Sequence, residues 1–169
     1  MAKRLSMVQV DVFSSTALEG NQLAVFLDGS GLSDEQMQAI AREMNLSETT
    51  FILPGDNSTK KDRGVRVRIF TVQEELPFAG HPTLGTAFVL RGSTGAPEVA
   101  LDLNVGRVPV KFEDQEGKPS FGEMTQLDPK FGTTHDRGAT ARPVRGGGRQ
   151  CGLRRSRQRA YPAQLPMAL

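Results

Sequence analysis

The chain has 169 residues, enough for one domain with a single core and crowded for two. Its formal charge of +2 conceals a division: residues 1–136 hold all 19 acids and 13 of the 21 Lys and Arg, a net −6, whereas residues 137–169 hold eight Arg and no acid, a net +8. The lone cysteine, Cys151, excludes an intrachain disulfide framework, and Met1 to Phe13 lacks the apolar run of a signal peptide or membrane span, so a cytoplasmic protein without membrane association is expected.

Leu5 to Phe13 alternates as a half-buried strand, and Leu23 to Leu27 is a short apolar run suited to a buried one, with the polar connection Ser14 to Gln22 between them. A helix starts after Ser33, which has Gln36 three residues on as a capping box, Asp34 and Glu35 in the first turn, and Leu32 placed to staple onto Met37. Its apolar stripe is Met37, Ile40, Ala41 and Met44, one face that should lie on a sheet. Phe51 to Leu53 reads as a strand stopped by Pro54, followed by a polar turn region from Gly55 to Gly64. Val65, Val67 and Ile69 then alternate with Arg66, Arg68 and Phe70, the pattern of an antiparallel strand with one wetted face.

A second helix is predicted from His81-Pro82 through Leu84, Ala87 and Phe88 to a stop at Gly92. Strands follow at Glu98 to Leu103, Arg107 to Phe112 and Phe121 to Gln126. Strands outnumber helices, which makes the fold class α+β rather than a doubly wound parallel sheet. Beyond Arg137 the chain turns to Arg, Gly and Pro without periodicity, and no structure is expected there.

Two segments are polar where a core would be apolar. In Asn45 to Phe51, between the first helix and a strand, Glu48 sits beside Leu46 and Phe51; shelter of that kind favours a carboxyl that exchanges a proton near neutral pH. Glu48 is the candidate acid/base, and an exposed Glu at a strand edge is the structural alternative. In Glu75 to Gly85, a helix starting at Pro82 would aim its unpaired first-turn N–H groups at one spot, a cradle for a carboxylate. Gly80 would allow close backbone approach and His81 could hydrogen-bond the ligand or an oxyanion; a helix-capping His beside a tight turn is the alternative.

Asn21, after Gly20, can orient a substrate or make a turn, and His135 stands alone near the tail. The two His and one Cys share no ligand spacing, and no phosphate-loop or dinucleotide fingerprint occurs, so neither metal nor cofactor is expected.

Val10-Asp11-Val12-Phe13, Gly20 to Val25, Ala41 to Phe51 and Glu75 to Ala87, in that order and spacing, closely resemble the N-terminal half of PhzF-like proteins of phenazine biosynthesis. The resemblance covers about the first 135 residues. It implies a diaminopimelate-epimerase-like domain, a mostly antiparallel barrel-like sheet around a central helix, whose active site lies in a cleft shared with a second domain. It further implies a cofactor-independent isomerase in which Glu48 moves a proton between carbons of a small carboxylated substrate. Ser47, Asn21, Gly80 and His81 match family positions that line the substrate pocket.

Family members are nearly twice this length, and their second domain supplies an Asp and a Gly-Ser segment that have no counterpart here. The acid-free composition after Arg137 is what a GC-rich coding sequence yields when read out of frame, and the tail, residues 137–169, is expected to be such a product. Two other readings stand beside an impaired isomerase: a non-catalytic half-domain that pairs with a second copy as a homodimer, and, less favoured, a nucleic-acid binder through the Arg/Gly tail. The acidic body opposes the last, and Tyr161 is the tail's one aromatic for base stacking.

Overall fold

In a computed structural model, which describes residues 4–55, 62–115, 118–128, 158–160 and 162–165, strands β1 (Met7–Val12) and β2 (Asn21–Phe26) form an antiparallel pair with Val12 opposite Asn21. Helix α1 (Asp34–Met44) then carries the chain across to β3 (Thr49–Leu53), which lies parallel to β2. β4 (Val65–Phe70) runs antiparallel to β3 and to the two-residue β5 (Glu75–Leu76). A second crossover, through helix α2 (Gly80–Thr94), places β6 (Glu98–Leu103) parallel to β4. β7 (Gly106–Gln115) and β8 (Lys118–Met124) continue as antiparallel neighbours. The two parallel pairings are those spanned by helices, as the length of a parallel crossover requires. The other pairings among the described residues are antiparallel, so the α+β, mostly antiparallel class holds.

The helices occupy opposite faces. α2 is buried continuously from His81 to Phe88 and packs on β1, β2, β3, β6 and β8, so the sheet curves around it as a barrel-like wall. A helix apolar on every side belongs inside. Gly85 sets how closely it lies: a Cβ there would stand 2.6 Å from Leu23 and 2.7 Å from Val12. Val10, Val12, Leu23, Val25, Ile52, Val67, Ile69, Leu84 and Phe88 belong to this inner core.

α1 covers the other face, where Met37 and Ala41 meet Ala24, Phe26, Phe51 and Phe70. Phe26 stacks on Phe51 at 4.9 Å between centroids, and Phe70 meets Phe51 edge-on at 5.6 Å. The start of α1 has the capping box expected of it: Ser33 accepts from the Gln36 N–H, and the Gln36 side chain accepts from the Ser33 N–H.

The structure departs from the sequence pattern at several points: β2, β3 and β7 start earlier than their patterns, at Asn21, Thr49 and Gly106, and β7 runs on to Gln115. α2 runs through Gly92 to Thr94 and ends at Gly95 in the left-handed conformation. Its last turn is anchored by Arg91, which donates to the Ala96 carbonyl and to both Asp114 oxygens and covers the Phe112 ring, and these contacts outweigh the cost of about 1 kcal/mol for one glycine in a helix. β8 begins at Lys118 rather than Phe121 and ends at Met124 rather than Gln126: its pairing with β7 continues past a register shift at Glu113/Asp114 to Gln115 opposite Lys118, and starts at Val110 opposite Met124. The outer face of β4 is not simply wetted: Arg68, 15% exposed, is clasped by Glu75 and Asp34.

Beyond Arg137, where no strand is expected, β9 (Gln158–Ala160) pairs with β8 and β10 (Pro162–Leu165) with β1. A sheet edge binds through its backbone N–H and C=O groups, so a segment without side-chain alternation can still complete it. The strand order β10-β1-β2-β3-β4-β6-β7-β8-β9 thus begins and ends on strands separated by position 161 alone. His135, Cys151 and most of residues 137–169 lie outside the described residues.

Candidate active site

Four chain segments converge at one end of the sheet: the end of β1, the start of β2, the turn into β3 and the start of α2. Antiparallel pairing brings Val12 to Asn21, and the parallel register of Ala24 with Thr49 brings the approach to β3 to the same end. Asn45, in the left-handed conformation, stops α1 and turns the chain so that Ser47 and Glu48 lead directly into β3.

Glu48 and His81, 33 positions apart, meet there: His81 Nδ1 lies 2.9 Å from Glu48 Oε2. The Glu48 side chain is 19% exposed and that of His81 9%. On the other side of the ring, His81 Nε2 lies 3.1 Å from the backbone carbonyl of Asn21. A carbonyl only accepts, so Nε2 carries a hydrogen and donates it. One further proton is then shared between Nδ1 and Glu48 Oε2, either on the ring beside a carboxylate or on the carboxyl beside a neutral ring. The ring is fixed in orientation and tautomer by backbone on one side and by a carboxyl on the other.

Asn21 contributes twice, its carbonyl holding His81 and its side-chain oxygen accepting from the Ser47 hydroxyl at 3.5 Å. Gly80 is the first residue of α2, and Ala79 before it offers no side-chain cap. No acid occupies the first turn of this helix. Its leading N–H groups therefore form an electropositive mouth beside Glu48 and His81. Thr83 is turned inward, donating to the Ala79 carbonyl at 2.6 Å.

Glu48, His81, Asn21, Ser47 and Gly80 are brought together by the fold, whereas Glu75, in the same polar segment as His81, points to Arg68 instead. Phe13, which the sequence offers as a strand end and not as a site residue, joins them: its ring stands 6.2 Å from that of His81, and the residue is 43% exposed. An aromatic residue at the last position of a strand pattern, followed by a polar loop, was the available signal. Among the described residues no group of three or more His, Cys, Asp or Glu converges as a metal site would require.

The family model of the phenazine biosynthesis-like proteins matches residues 10–143. The chain belongs to that family. It is 48% identical over 124 residues to the trans-2,3-dihydro-3-hydroxyanthranilate isomerase of Pseudomonas aeruginosa, an alignment spanning 73% of this chain and 43% of that enzyme. Among solved structures it is similar to a predicted epimerase of Pseudomonas aeruginosa, with a TM-score of 0.67 and 42% identity over 80% of this chain and 47% of the other. A hydroxyproline epimerase of Agrobacterium vitis, 14% identical with a TM-score of 0.53, shares the fold alone. The fold is the diaminopimelate-epimerase-like one, and the chain spans less than half the length of these relatives.

Proposed function

We propose that this PhzF-like chain carries the acid/base half of an isomerase site that shifts a proton between two carbons of a small, unsaturated carboxylic acid. The observation that carries the reading is the Glu48–His81 contact of 2.9 Å beside the uncapped start of α2. The similarity to a dihydro-hydroxyanthranilate isomerase supports a dihydroaromatic amino acid as the substrate class.

The substrate carboxylate would sit at the mouth of α2, taking hydrogen bonds from the backbone N–H groups of Gly80 and His81, from the Asn21 amide nitrogen, and from the Ser47 hydroxyl once it turns from its long contact with Asn21 Oδ1. Because His81 engages Oε2, Oε1 of Glu48 is the oxygen that would meet the reacting carbon. Glu48 as carboxylate takes a proton, the C–H electron pair passes into the conjugated system, and the resulting carboxylic acid returns a proton to a different carbon. Substrate and product are isomers, so nothing else is consumed. Positioned proton transfer of this kind is worth on the order of 10²–10⁴ in rate.

The test is solvent deuterium incorporation from D₂O into dihydroaromatic acids, followed by NMR, for the chain and for its Glu48→Gln variant. Incorporation by the chain that falls about 100-fold or more in the variant is the expected outcome. Equal incorporation by both, or none by the unmodified chain, removes the proton-transfer reading.

A further inference from the structure

We propose that Phe13 is the specificity-determining wall of this site, held over it by the buried carboxylate of Asp11 so that its ring lies against a flat, conjugated substrate. The proposal rests on the acid-binding reading above and goes beyond it by naming what selects the rest of the ligand.

Phe13 adopts φ 67°, in the left-handed region, although it is a bulky residue. Such a conformation is uncommon outside Gly, Asn and Asp and costs of the order of what one good hydrogen bond returns. Burial does not compensate for it, since the residue is 43% exposed. The strain instead keeps an aromatic face at the site mouth, 6.2 Å from the His81 ring and inclined to it by 42°.

Four features hold the loop that carries it. Asp11, 1% exposed, accepts the Leu18 N–H at 2.5 Å across seven positions, closing the segment over its own strand. Leu18 is itself left-handed, at φ 69°. Gly20 presses so close that a Cβ would stand 2.7 Å from both the Asp11 Cβ and the Val12 carbonyl oxygen. Within the loop the Ser14 hydroxyl accepts from the Thr16 N–H and donates to the Thr16 carbonyl. A buried carboxylate spent on one loop amide, two left-handed non-glycine residues and a glycine with no room for a side chain are all spent on a segment that adds nothing to either core. What the segment contributes is the position of Phe13.

An aromatic wall beside an anion cradle discriminates by the shape of what the acid is attached to. Benzoate and cyclohexanecarboxylate present the same carboxylate on a flat and on a puckered ring, so the pair separates the wall from the cradle. Binding of each to the full chain and to three variants is measured by NMR titration, with a thermal melt of each variant as the check on folding. We expect Phe13→Leu to weaken benzoate about three- to ten-fold and to leave cyclohexanecarboxylate unchanged. Asp11→Ala should reproduce that selective loss, and Asp11→Asn, whose amide oxygen can still accept the Leu18 N–H, should restore benzoate binding. Binding of both acids that is indifferent to Phe13→Leu, or weakened equally for the two, overturns the role of Phe13 and leaves the cradle standing. A chain that binds neither acid overturns the cradle and the wall together.

Discussion

Thr49 and Thr50 are neighbours on β3 with opposite fates. Thr50 faces α2, and its hydroxyl lies 2.9 Å from that of Thr86, so two buried polar groups satisfy each other inside the inner core. Thr49 faces α1, opposite Ala24 and Phe70, and its hydroxyl is buried without a partner. An unpaired buried hydroxyl costs part of its desolvation energy. Thr49→Val, which keeps the shape and removes the hydroxyl, is expected to stabilise the fold by about 0.5–1 kcal/mol in urea unfolding. The same exchange at Thr50, which strands the Thr86 hydroxyl, should destabilise it.

The link between α1 and the β4–β5 ribbon is electrostatic as well as apolar. Arg68 donates to both Glu75 oxygens and to Asp34 in the first turn of α1, while its guanidinium lies 5.1 Å from the centre of the Phe70 ring. Asn104 donates to Glu75 from the turn after β6 and accepts from Arg66, extending the network across three strands. Hydrogen bonding from Arg68 holds the Glu75 carboxyl below its ordinary value of 4.5, and the same guanidinium lowers Asp34. A carboxyl lowered by folding contributes stability above its ordinary value, and loses it as pH falls through the lowered one. Glu75→Gln should therefore cost on the order of 1 kcal/mol at neutral pH, after allowance for partial solvent screening, and the difference from the unmodified chain should narrow once pH falls below the ordinary value of 4.5 and close as it passes the lowered one. Unfolding midpoints measured across pH test both the size and the sign.

At the scale of the whole molecule, the last strand at each end of the sheet comes from residues that the composition sets apart. β9 covers β8, with Met124 opposite Gln158, and β10 covers β1, with Val12 opposite Pro162. β1 is also the strand that delivers Asp11 and Phe13 to the site. A chain ending at residue 157 would replace the short edge strands β9 and β10, of three and four residues, by β1 and β8, of six and seven, longer ladders of N–H and C=O groups that are better templates for pairing with other molecules. Light scattering should show concentration-dependent association of that shortened chain well above that of the full one. Similar scattering from both would mean that the two strands do not protect these edges in solution.

Much of the secondary structure was legible because it is local. The Ser33 capping box, the apolar stripe of α1 and the bounds of β4 depend on neighbours a few positions away and appear where the pattern put them, whereas β1 is shorter than its pattern and buries Asp11 as well as Val10 and Val12. The polar blocks around Glu48 and His81 were recognisable for the same reason, as residues that no core requires. Only the tertiary structure decided that Nδ1 of one meets Oε2 of the other, because that contact depends on the parallel register of β2 with β3 and on α2 seating closely enough for Gly85 to touch Val12 and Leu23. The left-handed turn at Phe13, the clasp on Arg68 and the pairing of β9 and β10 also escaped a reading of periodicity. Each is set by a partner distant in sequence, and alternation along a chain records which face a residue takes without recording what waits on that face.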